Sequence, residues 1–105
     1  EKIRGLVLVA AYPAESDSLS DLPLKVLSVS GTQDGLATSE KIERSRGLLP
    51  ADTVFVALQG GNHAQFGWYG FQEGDGAALI SRKEQQEQLL RVTVDFMRGL
   101  DEQPE

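Results

Sequence analysis

The chain contains no cysteine and only one histidine, one methionine and one tryptophan in 105 residues. Without cysteine there is no disulfide framework, no thiolate zinc site and no cysteine nucleophile. That absence does not fix a compartment. A metal site built on one histidine would need hard carboxylate partners, and no paired-ligand spacing such as His-x-x-x-His occurs. No metal and no organic cofactor are expected. Long apolar runs are missing too: Leu6 to Ala11 is the longest, far short of the roughly 20 residues that span a bilayer. No membrane segment and no signal-peptide pattern are visible. Basic residues are few, with ten Lys and Arg against sixteen Asp and Glu, a net charge of −6. An acidic chain with scattered cations cannot displace counterions from a phosphate backbone, so nucleic acid is excluded as the expected partner.

What remains is ordinary globular material, 40% hydrophobic and a quarter charged. Residues 3 to 11 form an apolar run of the kind found in a strand buried on both faces. Tyr12-Pro13 ends it, and the polar stretch 14 to 22 reads as loop. A second buried strand spans Leu24 to Ser30. Thr38 can cap a helix over 39 to 49, with Ile42, Leu48 and Leu49 as its apolar contacts and Pro50 as its stop. Residues 52 to 58 make a third strand. Ser81 and Glu84 form a capping box before a helix in which Leu89, Leu90, Thr93, Val94, Phe96 and Met97 recur at helical spacing. Gly99 is a plausible stop, and the tail from Asp101 to Glu105 is expected to fray. The Gln85-Gln86-Glu87-Gln88 run reads as an exposed helical face and Glu73 to Asp75 as solvated loop.

Buried strands alternating with helices argue for an α/β fold with a parallel sheet covered by helices. No repeat or linker divides residues 1 to 105, so they form one segment. One connection is unusual. About a dozen residues without helical period join the first two strands, where a parallel crossover normally includes a helix.

In open parallel sheets, functional groups gather in the loops at the carboxyl ends of the strands. Two such loops carry polar residues framed by glycine: Gly31-Thr32-Gln33-Asp34-Gly35 after the second strand, and Gly60-Gly61-Asn62-His63 after the third. If the strands are neighbours, about 4.8 Å apart, Asp34 and His63 come within reach of each other. A carboxylate on one imidazole nitrogen would leave the other free as a general base. From spacing alone, Asp34 reads equally as a turn aspartate, and for His63 a turn histidine without catalytic work is the more frequent case.

The stretch "LPLKVLSVSGTQDGLAT", followed about thirty residues on by "VFVALQGGNHAQFGWYG", resembles the C-terminal part of the α/β-hydrolase family. The likeness extends from Val7 to about Phe96 and is strongest to the compact, small-lid, dienelactone-hydrolase-like kind. It implies a three-layer α/β/α fold of which this chain holds the last three strands and the closing helix. In that family the triad runs Ser, then Asp or Glu, then His, which would make Asp34 the acid and His63 the base. The implied reaction is hydrolysis of an ester, lactone or related acyl bond in a small molecule, with no cofactor. Phe66, Trp68, Tyr69 and Tyr12 are candidates to line the substrate pocket, although the first three could instead pack the loop against the sheet and Tyr12 could be a strand-end boundary residue.

The family's nucleophile sits in a G-x-S-x-G elbow, and no such motif occurs here. The chain begins at Glu1 rather than Met, and the serine and the oxyanion donors are expected on an N-terminal part that precedes it. Alone, these 105 residues are expected to be inactive. The strand at residues 3 to 11 is expected to pair with that N-terminal half or with a second copy, giving an oligomer. A non-catalytic α/β binding or assembly module, with Asp and His as inherited decoration, is the alternative.

Overall fold

The computed structural model of the chain describes residues 3–101. Its main elements are β1 (Gly5–Val9), β2 (Lys25–Gly31), α1 (Ser39–Arg44), β3 (Val54–Leu58) and α2 (Arg82–Asp101). Single 3-10 turns lie at Glu15–Asp17, Ser45–Leu48 and Ala64–Phe66. Of the tail expected to fray, residues 102–105 fall outside the described residues.

The three strands form one parallel sheet in the order β1-β2-β3. Val9 pairs with Val29, and Val29 in turn with Val56. The short crossover from β1 to β2 is therefore real, and a three-residue 3-10 turn is its only regular element. It is anchored by the Leu19 amide donating to the Leu48 carbonyl at 2.7 Å, which ties the loop to the α1 side of the sheet.

Alternation along β2 divides its side chains between two faces. On one face Leu27 and Val29, fully buried, pack with Val7, Val56 and Leu58 against Leu89, Val92 and Phe96 of α2. On the other, Ala10 and Phe55 pack with Ala37 and Ile42 of the α1 region. These are the three layers α/β/α. Each buried Leu or Val contributes about 1.5–3 kcal/mol, so β2 is the axis of the core. Ala10, which closes β1, has φ 52, a left-handed conformation uncommon for a residue with a Cβ.

The helices differ in detail from expectation. Thr38 Oγ1 does cap α1, accepting from Lys41 N at 3.2 Å, but the helix tightens into 3-10 geometry at Ser45, whose hydroxyl donates to the Ile42 carbonyl. A side-chain donor competing for a helical carbonyl is a common way for a last turn to deform. At α2, Ser81 Oγ accepts from Glu84 N at 3.1 Å, whereas the Glu84 carboxylate turns to Gln88 instead of back to Ser81. The buried stripe of α2 runs Gln85, Leu89, Val92, Phe96, while Leu90 and Met97 are exposed. Both stripes satisfy helical spacing, and only the docking of α2 on the sheet distinguishes them.

The apolar strand β1 is half-buried throughout, against a β2 that is buried along nearly its whole length. As an edge strand it has a neighbour on one side only. None of the described helices is long and apolar enough to cross a membrane.

Candidate active site

The register of β2 on β3 pairs Gly31 with Leu58, so the two loops leave the sheet side by side. Three hydrogen bonds stitch them together: Thr32 N to Leu58 O at 3.1 Å, Gly60 N to Thr32 Oγ1 at 2.8 Å and Gln33 N to Gly61 O at 2.8 Å. The result is a short backbone platform from which Asp34 and His63 project toward each other.

Asp34 Oδ2 lies 2.8 Å from His63 Nδ1. The Asp34 side chain has no exposed surface, and the His63 side chain is 29% exposed. Asp34 Oδ1 is occupied on its own account, accepting from Leu36 N at 2.7 Å and Ala37 N at 2.8 Å. These bonds to amides two and three residues on fix the carboxylate plane, the local habit that makes aspartate a turn residue. Turn aspartate and imidazole partner are thus one residue using two oxygens. An ionised carboxylate has only acceptors to offer, so it takes a hydrogen from Nδ1, and in a neutral imidazole of that tautomer the lone pair lies on Nε2. With Nδ1 committed to a buried group, Nε2 is the nitrogen left to meet a reacting group from the open side.

The backbone on either side of the imidazole is held independently. Gln85, fully buried, accepts from Asn62 N at 3.2 Å through Oε1 and donates to Asn62 O at 2.8 Å through Nε2. Its Oε1 also accepts from Gln65 Nε2 at 2.9 Å. Leaving the Asn62 groups without partners would cost about 1–3 kcal/mol each, which explains why a polar side chain occupies the buried stripe of α2. Asn62 reaches the opposite way, donating through Nδ2 to Gly76 O at 3.0 Å. From that side Asp75 accepts from His63 N at 3.1 Å and Ala64 N at 2.9 Å. Burial opposes the charge on Asp75, but backbone hydrogen bonds from Ala64, Gly35, His63 and Gly76 outweigh it and hold the carboxyl below its usual value of 3.8.

The loops that bring Asp34 and His63 together lie within the reach of a comparison with known families. The model of the alpha/beta hydrolase family matches residues 1–87, which include both loops. The chain belongs to the α/β-hydrolase family. Comparison with curated proteins and with solved structures gives no match.

The other side chains expected near the site of this hydrolase-family chain are distributed unevenly. Phe66 is half-buried and packs against both core clusters. Trp68 and Tyr69 are not packed on the sheet: they are 85% and 58% exposed. Arg82 supports them, donating to Gly67 O at 3.1 Å and Tyr69 O at 2.6 Å, with its guanidinium 5.4 Å from the centre of the Trp68 ring. Tyr12 lines a cleft with Pro13, Lys41, Arg44 and Leu48, and neither Asp34 nor His63 is among the cleft's walls.

Two residues that hold the His63 loop escape a reading of the sequence. Gln85 belongs to a run that looks like an exposed face, yet it is the buried clamp on Asn62. Asp75 belongs to a loop that looks solvated, yet its carboxylate faces inward to the histidine loop. A usable signal existed for each. Gln85 stands four residues before Leu89 on the same stripe, and Asp75 is flanked by Gly74 and Gly76. Among the described residues, no three His, Cys, Asp or Glu side chains are placed to hold a metal ion.

Proposed function

We propose that Asp34 and His63 are the acid and base of a Ser-His-Asp triad that hydrolyses an ester, lactone or related acyl bond in a small molecule. The observation that carries this reading is the 2.8 Å contact between His63 Nδ1 and the buried carboxylate of Asp34, on loops matched by the hydrolase family. The serine comes from outside the described residues, on chain preceding β1. His63 Nε2 takes the serine proton as Oγ adds to the acyl carbon, and the resulting imidazolium gives that proton to the departing alcohol. Water then follows the same route: Nε2 removes its proton, hydroxide adds to the acyl-enzyme, and the proton returns to the serine. Asp34 stabilises the imidazolium and holds the tautomer throughout. No cofactor enters these steps.

Trp68 and Tyr69, both exposed, are the aromatic groups we assign to substrate contact; Phe66 packs against the core clusters and Tyr12 lines a cleft that includes neither Asp34 nor His63. The short β1–β2 connection, with one 3-10 turn, supports the small-lid, dienelactone-hydrolase-like reading. The test is labelling of the full-length protein with a fluorophosphonate probe, followed by peptide mapping. The label is expected on a serine in a strand-to-helix elbow upstream of β1. Absence of any labelled serine would end the hydrolase mechanism.

The half-buried apolar edge of β1 supports a further strand beside it, from the preceding chain or from a second copy. The 105-residue chain by itself is therefore expected to run as an oligomer in size exclusion with light scattering. A monodisperse monomer at high concentration would count against a strand partner there.

A further inference from the structure

We propose that Asp75 is a positioning residue for the triad: its carboxylate spans the loops of Asp34 and His63 and fixes the distance between acid and base. The inference deepens the triad reading and rests on it. Asp75 Oδ1 accepts from Gly35 N at 3.1 Å, directly after the acid, and from His63 N at 3.1 Å, the amide of the base itself. Gly76 N also donates to Oδ1, at 2.9 Å, and Oδ2 takes Ala64 N at 2.9 Å. One side chain thus holds the backbone on both sides of the His63–Asp34 hydrogen bond, while touching neither reacting atom.

The stretch Gly74 to Gly76 is pressed onto the Asp34 loop backbone to backbone. A Cβ at Gly35 would lie 2.1 Å from Gly74 O, and one at Gly76 would lie 2.1 Å from Gln33 O. Real Cβ atoms do not approach that closely, so glycine at both places is a requirement of the contact. Sequence separation sharpens the point. Asp75 is forty residues from Gly35 and twelve from His63, so these bonds are not local turn habits. The Thr32 and Gln33 bonds set the loops side by side at their roots. Asp75 is the side chain that joins them again at the level of the catalytic groups.

Substitution separates the contributions of its two oxygens. In Asp75→Asn, Oδ1 can still accept from Gly35, His63 and Gly76, while the amide nitrogen faces the Ala64 N–H, donor against donor. Asp75→Ala removes every bond. Misplacement of a catalytic group by about 1 Å costs on the order of 100-fold in rate. In the full-length protein, fluorophosphonate labelling is expected to slow about 10-fold in Asp75→Asn and about 100-fold in Asp75→Ala, scaled to that figure. Labelling stoichiometry at saturation should stay at one probe per chain. A low-field proton resonance from His63 Nδ1–H is expected in the unsubstituted protein and should broaden or vanish in both variants. A purely structural residue would lower the stoichiometry or the melting temperature and leave the rate per folded site and the resonance intact.

Both variants labelling at the unsubstituted rate with the resonance retained would overturn the inference alone. So would loss of a cooperative melt in Asp75→Asn, which would make the residue a determinant of folding. No labelling and no low-field resonance in the unsubstituted protein would instead remove the triad reading, and this inference with it.

Discussion

Replacement of His63 by alanine is expected to slow serine labelling and hydrolysis in the full-length protein by about 10⁶-fold, the scale seen when a triad histidine is removed. The loop itself should survive, because the amide at position 63 still donates to Asp75 and the neighbouring Asn62 is held by Gln85. The loss that remains is Asp34 Oδ2, buried and without its partner, at about 1–3 kcal/mol. Rate and stability should therefore separate: a small drop in melting temperature beside a near-total loss of nucleophile activation. Titration of rate against probe concentration distinguishes the two, since a folded but baseless enzyme still binds the probe. An unchanged labelling rate in His63→Ala would show that the histidine is a turn residue and nothing more.

The fold was legible because its signals are local. Each strand is an apolar run closed by glycine or proline, and Thr38 and Ser81 announce the helices that follow them. The Asp34–His63 pairing was accessible through one topological rule, that neighbouring parallel strands present their following loops on the same edge. What escaped depends on how surfaces meet. The phase of α2 is ambiguous in sequence, since Leu90, Val94 and Met97 are as periodic as Leu89, Val92 and Phe96. Choosing the wrong stripe sends Gln85 to solvent, although it is the residue that holds Asn62. Asp75 was illegible for a related reason. Its partners are backbone amides from two other loops and from its own, and amides carry no residue identity. Strand β1 reads as doubly covered because its composition is apolar, but its exposure depends on which neighbour stands beside it.

The charge on Asp75 also has a direction in pH. Its carboxyl is held below the usual 3.8, so the stabilisation from its amide bonds is complete above that value. It is lost as pH falls through the lower value of the folded state, so any loosening of the site from this source belongs to strongly acidic solution.

Asp34→Asn provides the sharpest test of the site, because the structure determines which way the new amide must face. Oδ1 of Asp34 accepts from two backbone donors, Leu36 N and Ala37 N, so the asparagine oxygen belongs there. The NH₂ group then points at His63 Nδ1 and donates to it, which moves the imidazole hydrogen to Nε2. The base is blocked without being removed. A fall of about 10⁴-fold in kcat is expected, with KM for an activated ester nearly unchanged, as for a triad held in the wrong tautomer. Nitrogen shifts of His63 should report the hydrogen on Nδ1 in the unsubstituted protein and on Nε2 in the variant. Stability should change little, since both turn bonds persist. Asp34→Ala, by contrast, removes those bonds as well and should lower the melting temperature along with the rate. Full activity in Asp34→Asn would mean that Asp34 serves the loop through Oδ1 alone, and that its 2.8 Å contact with the histidine carries no catalytic role.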